Sequence, residues 1–202
     1  MAIQCKEING LYIFMNVYTN EEEQKYCEYL EKECENPNIV KQIHKCTQYG
    51  YAFDIKNPDL ITEFPVWIND IWQTFMKHFD ETYNTDTYND PIMQAIQKCT
   101  PKNVLINTYP VGDGCNDHID DYHFWTSWIV GVSFGSGCTM EFKYDQNVVK
   151  YYIPARSVYI LSGDARYKWT HGIPFTTTDT YYGLVIPRTT RYSLTFRDIA
   201  KL

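Results

Sequence analysis

The spacing of apolar side chains changes character about halfway along the chain. In PVWINDIWQTFMKHFDETY, which begins at Pro65, the residues Ile68, Ile71, Trp72, Phe75 and Phe79 recur at i, i+3, i+4, i+7 and i+11. That stripe is what a helix presents when it backs onto a sheet. An earlier helix is predicted over EEEQKYCEYLEKECEN: Thr19 and Asn20 precede it, Glu22 and Glu23 stand three residues further on, and the acidic first turn suits the positive end of the helix dipole. From Asn103 onward the period shortens. NVLINTY, SWIVGVSF, CTMEFKY, VVKYYIP, SVYIL, YYGLVI and RYSLTF read as strands punctuated by Gly, Pro, Asp and Asn. This predicts a mainly β protein, helices first and strands afterwards, folded as an antiparallel sandwich or barrel rather than βαβ repeats.

With 202 residues, 44% of them hydrophobic and 16% aromatic, the chain can bury one sizeable core. No repeat or low-complexity stretch offers a linker, so residues 1–202 are expected to form a single domain. No run of about 18 apolar residues appears, and MAIQCKEING lacks the basic and then apolar start of a signal peptide. The expectation is an intracellular protein, cytoplasmic or nuclear, with no membrane partner. Seven cysteines, an odd number without a CxxC pair, favour neither a disulfide framework nor a zinc ribbon. The formal net charge of −7 argues against a generic electrostatic grip on nucleic acid, but the acidity is uneven. Residues 1–100 carry 8 basic and 16 acidic side chains, whereas residues 101–202 carry 10 and 9. A polyanion would approach the second half, or local basic points such as Lys41 and Lys45.

The stretch DHIDDYHFW, residues 117–125, concentrates titratable groups. On a strand, His118 and Asp120 would point to the same side and could lean toward one ion. His123 offers a local third ligand, although three ligands so close in sequence need a tightly folded loop. His171, in WTHGIP, lies after several strands that could return the chain to the same place, and is the better candidate. Two histidines and a carboxylate on one face of an octahedron are the arrangement of a non-haem Fe(II) oxygenase. In RYSLTFR, Arg191, Ser193, Thr195 and Arg197 share one face of a strand. Facing solvent, that face is ordinary; facing inward, its guanidiniums need an anion, and a dicarboxylate held bidentately would serve. Asn107 and Tyr109 share a face of another strand and can donate to carboxylate oxygens.

NTY at 107–109, HID at 118–120, THGI at 170–173 and RYSLTFR at 191–197 resemble, in this order, the NxY, HxD, distal His and RxxxxxR of the AlkB-type Fe(II)/2-oxoglutarate dioxygenases. The resemblance covers roughly residues 10–200. It implies a double-stranded β-helix, or jelly roll, with helices packed on one sheet. In such a fold, residues 1–100 would give helical support and a substrate lid, and residues 101–202 the β-helix core with the metal site. It implies that His118, Asp120 and His171 hold Fe(II), that Arg191 pairs with the distal carboxylate of 2-oxoglutarate, and that Asn107, Tyr109 and Ser193 also touch this cosubstrate. Arg197 would lie near the keto-acid end or the substrate, with molecular oxygen as the other reactant. Within the family, INGLYIFMNVYTNEEE, QYGYAF, YPVGDGCNDHID and SGDARYKWTHGI are similar to the dioxygenase segment of the member joined to a tRNA methyltransferase. That likeness implies a modified wobble uridine in tRNA as substrate. The chain shows neither the RNA-recognition domain nor the methyltransferase of that member, so it is expected to act as a monomer or with a separate RNA-binding partner.

Substrate contacts are expected from Asp121, Tyr122 and His123, directly after the metal pair, and from Tyr49 and Tyr51, where the family forms a nucleotide lid. Arg166 is expected to meet a phosphate or a base. Two further readings stay open at this point. One keeps the oxygenase chemistry but directs it to a protein side chain or small molecule; the other is a non-catalytic metal-binding interaction module.

Overall fold

The computed structural model describes residues 2–35, 46–51, 61–82 and 90–200. In chain order the elements are β1 (Ala2–Gln4), β2 (Leu11–Phe14), α1 (Asn20–Glu35), β3 (Cys46–Tyr51), β4 (Ile61–Thr62), α2 (Val66–Thr82) and α3 (Pro91–Gln97). There follow β5 (Asn103–Tyr109), β6 (Cys115–His118), β7 (Trp125–Gly135), β8 (Cys138–Tyr144), β9 (Asn147–Ile153) and β10 (Ser157–Leu161). The chain ends with α4 (Gly163–Tyr167), β11 (Thr170–Ile173), β12 (Thr178–Tyr181), β13 (Leu184–Pro187) and β14 (Arg191–Ile199). A large antiparallel sheet runs β1-β2-β10-β7-β14-β5-β3-β4, a smaller one runs β6-β11-β8-β9, and β12-β13 forms a hairpin. This is the expected mainly β jelly-roll arrangement, with α1, α2 and α3 on one face of the large sheet and α4 packed with the core on the other.

Alternation in β14 assigns the two faces. Tyr192, Leu194 and Phe196 join a core with Val130, Val132 and Phe134 of β7 and with the α2 stripe, Ile68, Ile71, Trp72, Phe75 and Phe79. Each such side chain contributes about 1.5–3 kcal/mol on full burial, which is what fixes α2 against the sheet. The opposite face of the large sheet meets the small one: Ile129, Tyr159 and Leu161 pack with Met140, Phe142 and Ile153. Start signals are those the sequence carries. Thr19 Oγ1 accepts from Glu22 N at 3.1 Å while Glu22 Oε2 accepts from Thr19 N at 2.8 Å, a reciprocal cap on α1.

The expected order of helices before strands needs correction at the beginning of the chain. β1 and β2 precede α1, and β3 and β4 lie between the helices, each hydrogen-bonded into the large sheet. These strands are short, and their apolar runs show no clean alternation. YYGLVI is not one strand but a hairpin tip: Tyr182 and Gly183, with φ of 48° and 78°, form the two-residue turn between β12 and β13. Of the cysteines, Cys5, Cys27, Cys46, Cys99, Cys115 and Cys138 are free thiols. No helix among the described residues is long and apolar enough to cross a membrane. Lys41 and Lys45 lie outside the described residues.

Candidate metal centre and cosubstrate cavity

His118 closes β6, and Asp120 lies just beyond it, outside any strand. Their convergence therefore comes from the turn that follows β6, not from the strand alternation expected. His171 stands on β11, whose register sets it directly opposite His118. The two imidazole centroids are 4.4 Å apart, and His171 Nε2 is 3.9 Å from an Asp120 carboxylate oxygen. The ligand atoms of His118, Asp120 and His171 all lie within 4.8 Å of one another. His123 has no part in this cluster.

The two imidazoles differ in protonation: near neutral pH, without an ion, His118 carries both protons and His171 is neutral. His118 Nδ1 donates to the Asn116 carbonyl at 2.9 Å, which leaves Nε2 as the nitrogen that can bind an ion once its proton is lost. The Cys115 thiol, 3.8 Å from Nδ1, and that carbonyl push His118 up to about 9, against the opposing effect of burial. Burial, with His118 alongside, pushes His171 down to about 4, so this imidazole is neutral near neutral pH. Its buried Nδ1 has no hydrogen-bond partner. Two imidazoles from separate strands and one carboxylate from the loop after β6 fit a divalent ion of the facial two-histidine, one-carboxylate type.

A cavity of about 440 Å³ opens beside the three ligands, within the range of small-molecule sites. Asn107, Tyr109, Ser193 and Thr195 line it, because β14 pairs with β5 in a register that puts Ser193 opposite Asn107. Arg191, 3% exposed, lies over the Tyr109 ring at 5.2 Å and donates from Nε to Ser133 Oγ at 3.0 Å. Both of its Nη groups are buried without a partner. A buried guanidinium left in that condition is costly unless an anion completes it, and a carboxylate fits its fork bidentately. Burial holds the Tyr109 phenol well above its usual range and pushes Tyr159 up to about 12, so both remain O–H donors. The Tyr159 ring crosses Gly131 so closely that an added Cβ would come within 2.1 Å of it, an approach only glycine allows. Arg197 sits at the metal side instead. Its Nε donates to Asn103 Oδ1 at 2.9 Å, its Nη1 is 3.8 Å from Asp120 Oδ1, and its guanidinium lies 4.3 Å over the Trp125 ring.

The residues expected to touch substrate divide. Asp121 Oδ1 accepts from His123 N at 2.7 Å and Phe124 N at 3.0 Å, folding a turn beside the metal pair. Tyr122 and Phe124 are 57% and 46% exposed there, and the Tyr122 and His123 rings are 4.3 Å apart. Tyr49 does not face this site. Its hydroxyl bonds to Glu33 of α1 and its ring packs on the helix-side core, while Cys46 is the β3 residue that lines the cavity. Tyr51 ends β3 at the surface, and its carbonyl accepts from Asn103 Nδ2 at 2.6 Å. Arg166 is likewise a correction: it is 2% exposed and donates to the carbonyls of Asp120 and Asp121, so it meets main chain rather than phosphate or base. Sequence reasoning passed over Tyr159, Ser133, Asn103 and Trp125. Ser133 and Tyr159 had a readable signal, since period 2 in SWIVGVSF and SVYIL puts them opposite the core residues; Asn103 and Trp125 carried none.

Residues 17–197 match the family model described as the 2OG-Fe(II) oxygenase superfamily. The uncharacterized protein L905 of Acanthamoeba polyphaga mimivirus is 32% identical over 201 residues, covering 98% of this chain and 89% of L905. ALKBH8 of Macaca fascicularis, named a tRNA (carboxymethyluridine(34)-5-O)-methyltransferase, is 28% identical over 171 residues. That alignment takes in 81% of this chain but only 24% of ALKBH8, so the chain spans about a quarter of that relative. In fold, it is similar to OsALKBH1 with a TM-score of 0.63 at 15% identity, over 94% of this chain and 98% of the other.

Proposed function

The chain belongs to the 2OG-Fe(II) oxygenase superfamily, among its AlkB-type members, and from that premise we propose that it hydroxylates or demethylates a modified nucleobase, namely a wobble uridine side chain in tRNA. Membership makes it an oxidoreductase that uses Fe(II), 2-oxoglutarate and molecular oxygen, and sets aside the reading of a non-catalytic metal-binding module. Bound Fe(II) and 2-oxoglutarate supply the oxidising power: oxygen converts the cosubstrate to succinate and carbon dioxide and delivers its second atom to a substrate C–H bond.

The chain's own residues bind and orient. In this proposal His118, Asp120 and His171 hold the iron, and Arg191 takes the distal carboxylate of 2-oxoglutarate with Asn107, Tyr109 and Ser193 around it. Arg197 stands beside Asp120, at the keto-acid end. Asp121 shapes the turn on which Tyr122, His123 and Phe124 are exposed, and such aromatics can hold an unstacked base. Residues 1–202 act as one dioxygenase unit, a reading supported by β2 and β3, which pair with β10 and β5 of the second half. The observation that carries the cosubstrate assignment is the open Arg191 fork, packed over Tyr109, which lines the cavity that the three metal ligands share. The tRNA assignment draws on the likeness to ALKBH8, whose name concerns uridine 34 of tRNA.

The net charge of −7 favours a second reading, in which the same chemistry acts on a protein side chain or small molecule. Nucleoside mass spectrometry after incubation with Fe(II), 2-oxoglutarate, oxygen and tRNA separates the two. The expected result is a 2-oxoglutarate-dependent gain of one oxygen on a modified uridine, or loss of an N-methyl as formaldehyde, together with RNA binding that weakens with salt. An unchanged profile across modified uridines and methylated bases overturns the nucleobase reading, and a 2-oxoglutarate-dependent gain of one oxygen on a member of a protein or metabolite panel establishes the second.

A further inference from the structure

Residues 163–171 supply one metal ligand and grip the loop that carries another. Helix α4 is pinned to the start of the chain: Ser162 N and Oγ donate to the Gly10 carbonyl at 2.8 and 3.0 Å, and Ala165 N to that of Asn9 at 2.9 Å. Gly10 has a φ of +85°, and a Cβ there would stand 2.1 Å from Ser162 O, so glycine is required for this approach. From that fixed base the Arg166 side chain runs inward, 2% exposed. Its Nη1 donates to Asp120 O at 2.6 Å and its Nη2 to Asp121 O at 2.8 Å. The same segment continues into β11 and presents His171.

Asp120 lies outside any strand, so no sheet ladder fixes its main chain. The fork of Arg166 takes that place. Asp121, the second residue held, uses its own carboxylate to fold the turn that exposes Tyr122 and Phe124. We propose that Arg166 is a positioning residue: by holding the Asp120 and Asp121 carbonyls it sets where the Asp120 carboxylate stands relative to His118 and His171, and it roots the exposed aromatic turn at the metal. A planar guanidinium presents two N–H groups in a fixed fork that matches two carbonyls, whereas a lysine ammonium, a compact charge on a flexible stem, holds them in no fixed geometry. The proposal rests on His118, Asp120 and His171 being the metal ligands and is independent of the substrate.

The test uses the full chain as wild type, R166K and D120A, each titrated with Co(II) as a visible stand-in for Fe(II) and melted with and without saturating Co(II). R166K keeps the charge and loses the fork. It is expected to bind Co(II) about 10–100-fold more weakly, as loss of a group supporting a ligand typically does. Its bound Co(II) should show an altered visible spectrum, and the metal should raise its melting temperature less than it raises that of the wild type. A residue needed only for packing would lower the melting temperature with and without metal alike and leave Co(II) affinity and spectrum at wild-type values; that result overturns the proposal. D120A keeps the two levels apart. If D120A binds Co(II) as tightly as wild type, the ligand assignment fails; if it loses the metal while R166K does not, the assignment stands and the positioning role falls.

Discussion

Arg188 and Arg191 are separated by two threonines, are 8% and 3% exposed, and meet opposite surroundings. Arg188 follows β13 and every nitrogen of its guanidinium is hydrogen-bonded. Nε and Nη2 meet the two Asp179 oxygens at 2.7 and 2.9 Å, and Nη1 donates to the carbonyls of Pro174 at 2.8 Å and Asp113 at 3.3 Å. Arg191 has its Nε bond to Ser133 and no partner in good hydrogen-bonding geometry on either Nη group, with the Tyr159 hydroxyl and the Cys138 thiol beside it. Position explains the contrast. Arg188 lies beside the β12-β13 hairpin, where Asp179 on the neighbouring strand can face it. Arg191 opens β14 inside the large sheet, opposite Tyr109 and Gly135, and its neighbours there offer rings and hydroxyls but no acid. A buried guanidinium whose fork is closed by protein belongs to the fold. One whose fork is left open points to a ligand.

That contrast breaks first at Arg188. Replacing it with methionine leaves Asp179 buried and unpaired, which should cost about 3–5 kcal/mol of stability, read by thermal or denaturant melts. The folded fraction should bind 2-oxoglutarate as wild type does. An R188M protein as stable as wild type would deny the pair its structural role. Arg191→Met should do the reverse. It removes the group that would hold the cosubstrate's distal carboxylate, costing about 2–5 kcal/mol of binding, which is about 30- to 4,000-fold in Kd, measured by calorimetry on metal-loaded protein. Its melting temperature without cosubstrate should hold or rise, since an unsatisfied buried charge has gone. Unchanged 2-oxoglutarate affinity in R191M would remove the main support for the cosubstrate assignment.

The same two arginines mark what the sequence could and could not tell. Arg191 was readable because period 2 in RYSLTFR ties it to Ser193, Thr195 and Arg197, and one inward face needs one anion. Arg188 gave no sign, because its partner Asp179 is brought to it by a two-residue turn at Tyr182 and Gly183 that reads as strand in YYGLVI. Likewise the α2 stripe and the cap at Thr19 are local patterns and were legible. The strands before and between the helices depend on pairing with β10 and β5, which no short window contains. Among site residues, His118, Asp120 and His171 announce themselves by chemistry, whereas Arg166 looked like a substrate contact because charge in a motif does not reveal burial. Tyr49 failed for the opposite reason: its strand alternation was usable, but β3 itself had not been recognised.

The smallest expected effect is confined to acid and tests whether Asp179 is the ionised half of its pair. Burial disfavours its charge, but the bonds from Arg188 and from Thr139 N outweigh that and hold the carboxyl below the ordinary range. A depressed folded pKa contributes stability that is present above the unfolded value, about 3.9, and is lost as pH falls through the folded one. Wild type and D179N should therefore differ most in melting temperature at neutral pH, with the gap constant down to about pH 5 and closing below about pH 4. R191M, which leaves the pair intact, should follow the wild-type acid slope. A gap between wild type and D179N that stays constant or widens toward pH 3 would mean that Arg188 does not face a carboxylate, and the distinction between closed and open forks would lose its first half.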